Sequence, residues 1–411
     1  VTGIADHSGR LRIRMRERSP DEPHRVSSPL ELLFDLTFVV AVASITAQLA
    51  HGIATGHALD DLMPFLQVFF AIWWAWMNAT WFASSFDTDD VPYRVLTMVQ
   101  MAGVLVLAAG VPSAFEENDY RAITLGYLVM RIGLVAQWLR AGLEDAASRR
   151  TAVRYALGIS VLQVGWFARL VLAETGVLPE PALLPVFLVL VVGELAVPRW
   201  AERTRPTSWH PHHIAERYGL FVIILLGESV LAASTGVQAA SAAGAGVTGS
   251  FVTVALGGLV LLFALWWLYF LEPSGEGLAH RRDRSFLWGY GHYGIFVALA
   301  AVGAGLEVAV EGTGHSLEVS ATGVGYAVAL PVSVFLVLLW AVHAPIVRGP
   351  VISPPLLLGA AAVVLLLPLA TELVGLAAVV ATVAGVCSSL VAAGVLSPSR
   401  RRSERPADMG V

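Results

Sequence analysis

The sequence predicts an all-α fold: a polytopic membrane helical bundle of about twelve transmembrane helices, built as two parallel six-helix repeats. Three observations predict it. Hydrophobic residues make up 56% of the 411 residues and charged residues only 14%, against the roughly 25% of a soluble domain, and mean hydropathy is +0.70. Stretches near the roughly 20 apolar residues that span hydrocarbon as a helix recur along the whole chain. Finally, segments in the two halves match at a fixed offset.

The spans, in order, are 30–52, 63–83, 95–114, 122–140, 152–173, 181–198, 214–235, 251–271, 286–308, 323–343, 353–371 and 374–396. The first is preceded by an arginine-rich tail and lacks a small-residue cleavage site, so it reads as a span and not as a signal peptide. All 26 Lys+Arg residues are arginine, and their placement orients the chain. With a cytoplasmic N-terminus, 23 arginines lie inside, among them Arg10, Arg25, Arg94, Arg217, Arg348, Arg400, Arg401, Arg402 and Arg405. Arg121 alone lies outside, while Arg131 and Arg169 lie within spans. An even number of spans returns both termini to the cytoplasm. The tails 1–24 and 397–411, rich in Pro, Arg and Ser, are expected to be disordered.

The composition also excludes chemistry. Cys387 is the single cysteine, so no disulfide framework, cysteine zinc site or iron–sulfur site is available. The absence of lysine removes Schiff-base chemistry. A net charge of −5 without a basic stripe gives no nucleic-acid footprint, and no cofactor is implied. The bilayer is the partner that the composition requires, with a small ion or solute as a further one.

The repeat divides the body into 25–205 and 206–396. Phe70-Ala-Ile-Trp73-Trp74-Ala-Trp76 matches Phe263-Ala-Leu-Trp266-Trp267-Leu-Tyr269 at an offset of 193, which also lays Asp35 on Glu228. Span 3 matches span 9 at an offset of 191, laying Glu116 on Glu307. Six spans per unit is even, so the repeats run parallel.

An ionisable side chain inside a span is costly and faces the bundle interior. Glu31 and Asp35, four apart in span 1, share one helix face and can hold a cation or proton; alternatively Glu31 caps the helix and Asp35 holds an arginine. Glu228 lies deep in span 7, in Gly227-Glu228-Ser229, where Gly227 lets another helix approach; it exchanges a proton or pairs with Arg131. Glu194, Glu307, His292 and His343 are further such residues, and Trp73, Trp74, Trp76 and Trp81 line a pore or pack the bundle. His210, His212, His213 and Glu216 lack the spacing of a zinc site and read as interfacial. Asp87, Asp89 and Asp90 with Arg94 form an acidic cluster able to hold Mg²⁺ on a diphosphate, or a loop neutralised by arginine. The small-residue segment from Gly236 to Gly249 lacks the Gly-Lys-Ser of a phosphate loop.

These motifs resemble the low temperature requirement A (LtrA) family of bacterial membrane proteins. The resemblance rests on Glu31-Leu-Leu-Phe-Asp35-Leu-Thr-Phe-Val, Phe86-Asp87-Thr-Asp89-Asp90 with Arg94, and Tyr127-Leu-Val-Met-Arg131. It continues in His213-Ile-Ala-Glu216-Arg217-Tyr-Gly-Leu-Phe, Leu-Gly227-Glu228-Ser229, Gly291-His292-Tyr and Gly305-Leu-Glu307. It implies a multi-pass inner-membrane protein without specifying an activity. A fainter likeness, to potassium channels of six-span units, rests on Phe34-Asp35 following Arg25. The leading expectation is a transporter or channel-like protein for protons, cations or a small solute, with Asp35 and Glu228 as matched carboxylates and Arg131 and His292 as charge partners. The alternatives are an Mg²⁺-dependent intramembrane enzyme acting on a lipid or prenyl diphosphate at Asp87, Asp89 and Asp90, and a membrane sensor or scaffold in cold or stress adaptation.

Overall fold

The computed structural model describes residues 11–23, 25–242, 248–314, 316–347 and 349–397, and among these there are helices and loops but no strand. Arg10, Arg348 and Arg400, Arg401, Arg402 and Arg405, residues 1–10 and 398–411 of the two tails, and 243–247 of the glycine-rich segment lie outside the described residues.

The long helices follow the predicted spans. They are α1 Pro29–Ala54, α2 Ala58–Phe86, α3 Val91–Ala109, α4 Arg121–Glu144, α5 Arg149–Glu174 and α6 Glu180–Ala201. Then come α7 Pro211–Ala242, α8 Gly249–Phe270, α9 Ser285–Glu311, α10 Ala321–His343, α11 Pro354–Leu366 and α12 Leu376–Val395. Eleven helical stretches among the described residues are long and apolar enough to cross a membrane. In addition α7, with 32 residues, covers the seventh predicted span.

Three local departures have backbone causes. Span 3 was expected to run unbroken to residue 114, but α3 stops at Gly110 and a short helix, Val111–Glu116, restarts with a proline in its first turn. The eleventh span is α11 followed by a 3-10 turn, Leu367–Ala370, where Pro368 removes a backbone donor. Its tight junction with α12 turns on Gly375, whose φ of 83° is a glycine conformation.

The chain folds as two compact units: the first comprises the described residues up to Ile45 with Gln67–Arg217, the second Thr46–Leu66 with the described residues from Tyr218 onward. Helices α1, α2 and α7 therefore each run on from one unit into the other. In the first unit α3 and α4 pack closely, because small residues face each other: a Cβ at Gly103 would stand 2.6 Å from the Gly126 carbonyl oxygen. Its aromatic core stacks Trp138 on Tyr155, with ring centroids 4.1 Å apart, beside Phe82 and Phe86. In the second unit α9 packs on α10, α10 on α11, and α12 on α8.

The N-terminal segment departs furthest from expectation. Residues 11–23 are not a free tail: Met15 is fully buried among Phe82, Phe86, Leu134 and Trp138. The extended backbone finds fixed acceptors, Ile13 N–H donating to Asp90 (2.8 Å), Met15 N–H to Glu144 (2.6 Å) and Arg18 N–H to the Ser85 carbonyl (2.9 Å). Arg12 pairs with Glu144 and Glu17 with Arg205, each at 2.7 Å. Basic composition suggests solvation, but these carboxylates at the helix ends give the segment partners.

Candidate functional site

The first unit gathers its carboxylates on Arg217. At the start of α1, Ser28 and Glu31 cap the helix reciprocally. The Glu31 N–H donates to Ser28 Oγ (3.3 Å), and the Ser28 N–H donates to Glu31 Oε2 (2.8 Å). The other oxygen of Glu31 accepts from Arg217 Nη1 at 2.9 Å and stands 3.1 Å from His213 Nε2. One turn on, Asp35 takes Arg217 Nε (3.0 Å) and Nη2 (2.5 Å) as a fork, and Oδ1 also accepts from Trp76 Nε1 (2.8 Å). All five side chains are buried. The spacing of four that puts both carboxylates on one face thus serves a single guanidinium, and the alternative role of the pair, a helix cap and an arginine holder, is what the geometry realises. Glu216, one residue before Arg217, accepts from the Ser27 N–H at 3.3 Å. His210 opens α7, its Nδ1 accepting from the His213 N–H (3.2 Å).

A second buried cluster centres on Glu194 of α6, a residue that sequence reasoning did not place in the candidate site. It accepts from Trp74 Nε1 (2.8 Å), Tyr127 OH (3.0 Å) and Trp166 Nε1 (3.1 Å), with Arg131 Nη2 at 3.5 Å. Arg131 also donates to the Tyr127 hydroxyl and lies over its ring. Arg131 is thus paired with Glu194. The signal was in the sequence: Tyr127 and Arg131 are four apart on α4, and two span tryptophans need acceptors. The tryptophan run is accounted for likewise, since Trp74 and Trp76 hydrogen-bond to carboxylates. Trp266 and Trp267, the sequence counterparts of Trp73 and Trp74, are instead 44% and 47% exposed on α8.

The acidic loop separates its three aspartates. Asp90 caps α3, accepting from the Tyr93 N–H (3.1 Å), and is gripped by Arg140 through Nη1 (2.8 Å) and Nη2 (2.6 Å). These donors hold its carboxyl down at about 2, against the desolvation that opposes them. Asp89, with φ at 48°, is held by Arg94 through two bonds of 2.8 Å. Asp87 is buried with Arg18 3.9 Å away; desolvation, reinforced by the Glu31 charge, pushes its carboxyl up to about 7. Asp87, Asp89 and Asp90 are therefore not assembled as a Mg²⁺ array, and among the described residues no three His, Cys, Asp or Glu side chains group as metal ligands.

In the second unit Glu228 is buried, and its Oε2 has no hydrogen-bond partner among the described residues. Among the described residues no arginine or histidine forms an ion pair with it or with Glu307. The close approach beside it is not made at Gly227, where a Cβ would meet nothing within 4 Å among the described residues. It is made by Ser229, whose hydroxyl would lie 2.6 Å from a Cβ on Gly303. Glu307 lies one turn beyond Gly303 on the same helix, α9. His292 is not beside a carboxylate. Its Nδ1 donates to the Trp288 carbonyl (2.7 Å), so in the neutral ring Nε2 accepts from Tyr269 OH (3.1 Å). His343 is bonded in the same way, to Leu339 O (2.9 Å) and Ser274 Oγ (3.1 Å).

Comparison with known proteins agrees with this helical body. The chain is 29% identical over 315 residues to the uncharacterized protein RA0937 of Rhizobium meliloti (strain 1021), covering 70% of this chain and 71% of that one. No solved structure matches. The profile of the bacterial low temperature requirement A protein matches residues 26–393, nearly the whole chain and all the residues of both carboxylate sites, so the chain belongs to the LtrA family of multi-pass membrane proteins.

Proposed function

We propose that this LtrA protein moves protons, monovalent cations or a small solute across the cell (inner) membrane, with Glu228 and Glu307 as the groups that load and release. The observation that carries the reading is the buried Oε2 of Glu228 in an apolar helix, without a hydrogen-bond partner or a paired cation among the described residues. A carboxyl in an apolar setting without a counter-charge is held protonated or with a bound cation, which it can take up and release. Asp35 carries no comparable freedom: a guanidinium and an indole occupy it. The transport role therefore rests on the second unit, and Asp35 is a structural anchor. In the same reading both termini face the cytoplasm, as the arginine distribution requires.

The test is flux in proteoliposomes under an imposed pH or potassium gradient. Glu228→Gln and Glu307→Gln are expected to abolish movement while leaving the protein folded. Flux at the wild-type level in both variants would remove the proposed role. Orientation is tested separately in a Cys387→Ala background, where Glu117→Cys should react with an impermeant maleimide from outside and Ala146→Cys only after the membrane is opened.

A further inference from the structure

The transport reading leaves one site in the first unit unused. A groove of about 550 Å³ runs between α4 and α5 and is lined by Arg131 and Gln163, with Ile132, Leu139, Val164 and Phe167 as apolar walls. The wall residues are exposed on the helix surface, whereas Arg131 is 1% and Gln163 5% exposed. Nε and Nη1 of Arg131, and both Nε2 and Oε1 of Gln163, have no hydrogen-bond partner. A buried amide or guanidinium left in that condition costs about 1–3 kcal/mol per group. Two such residues on facing helices, lining one groove, mark a place built for a polar atom from outside the chain.

Charge and depth define that atom. Glu194, satisfied by two indoles and a phenol, balances the charge of Arg131, so the site as a whole is neutral and gains nothing from a second anion. Arg131 lies ten residues into α4, a helix of 24 residues, hence about 15 Å from its start at 1.5 Å per residue. That is near the middle of a hydrocarbon core about 30 Å thick, a level that phospholipid headgroups do not reach. An oxygen acceptor arrives there only on a molecule that is itself dissolved in the hydrocarbon. The N–H donors of Arg131 and Gln163 suit a carbonyl oxygen.

We propose that the α4–α5 groove binds a neutral, lipid-soluble carbonyl compound of the quinone class, held by Arg131 and Gln163. The proposal is independent of Glu228 and Glu307, and concerns binding alone.

The test is photolabelling of the full-length protein in phosphatidylcholine nanodiscs with 4-decyloxybenzophenone, a neutral ketone that inserts into neighbouring C–H bonds on irradiation. Labelled residues are mapped by mass spectrometry, with decylubiquinone and palmitate as competitors. Labels are expected on Ile132, Val164 or Phe167, suppressed by decylubiquinone and unaffected by palmitate. Gln163→Leu should weaken labelling about tenfold, the worth of one buried hydrogen bond, while thermal stability stays equal or rises because an unpaired amide has been removed. Arg131 is left intact, since its loss would strand Glu194. Equal labelling in Gln163→Leu, equal labelling of the exposed α6 positions Val189 and Val192, competition by palmitate as strong as by decylubiquinone, or photoproducts that are mainly cross-linked dimers would each overturn the proposal.

Discussion

Arg217 grips Asp35 with two nitrogens, Nε on Oδ2 at 3.0 Å and Nη2 on Oδ1 at 2.5 Å, and spends its third, Nη1, on Glu31. A fork of this kind fixes both partners in angle as well as distance. Because the charges are buried, removing one partner leaves the other uncompensated, at a cost of about 3–5 kcal/mol. Asp35→Asn and Arg217→Gln are each expected to lower the unfolding temperature in detergent sharply. The double variant should fall by less than the sum of the two, since it strands no charge against Asp35. Strict additivity, measured by the double-mutant cycle, would show that the pair does not act as a unit.

The fold was legible in the sequence and the partners were not. Helix existence rests on local hydropathy, which needs no knowledge of neighbours, and the predicted spans agree with α1 to α12 to within a few residues except where Gly110 and Pro368 interrupt them. The partner of Asp35, by contrast, is 182 residues away in the sequence, and that of Arg131 is 63 away. Sequence reasoning could state that each buried charge needs a counter-charge, but several arginines and carboxylates were eligible. The helix cap at Ser28 and Glu31 was readable because its partners are three residues apart. The docking of Met15 was not readable, because the segment's composition resembles that of a solvated tail and its acceptors come from distant helix ends.

The N-terminal segment supplies a prediction of its own. Its ion pairs, Arg12–Glu144 and Arg205–Glu17, each involve a half- or fully exposed arginine and contribute about 0–1 kcal/mol apiece. Burial of Met15 is the larger contribution, and Met15→Ala should destabilise the protein by about 2–5 kcal/mol. High salt alone should therefore leave residues 11–23 protected from protease, whereas Met15→Asp should expose them. Release of the segment by salt in the wild-type protein would mean that charge, not the methionine, holds it.

Asp87 gives the pH dependence. Its folded carboxyl holds a proton up to about 7, against an ordinary value of 3.8 in the unfolded chain. Between those values the folded state binds more protons than the unfolded one, so the contribution of Asp87 to stability is full below about 4 and is lost as pH rises through about 7. Asp87→Asn, which stays neutral throughout, should match the wild type at about pH 4 and exceed it in unfolding temperature at pH 8. A variant equally stable to wild type at both pH values would indicate that Arg18 and Arg25 already compensate the aspartate charge.

Glu194 and Glu228 separate structural from mobile carboxylates. Glu194 receives four donors, two of them indoles and one the guanidinium of Arg131, and its replacement by glutamine removes the charge that balances a fully buried arginine. The new amide also presents N–H groups where acceptors are needed, so one or more of those donors loses its bond. The expected cost is about 3–5 kcal/mol, and folding yield should fall with it. Glu228→Gln removes nothing comparable, because Oε2 has no partner to lose among the described residues. Its unfolding temperature should stay within a degree or two of wild type or rise, a change of roughly 0–1 kcal/mol. The pair of measurements decides the assignment: a carboxylate whose loss leaves stability intact but stops flux is a transport group, whereas equal destabilisation by both substitutions would make Glu228 a packing residue like Glu194.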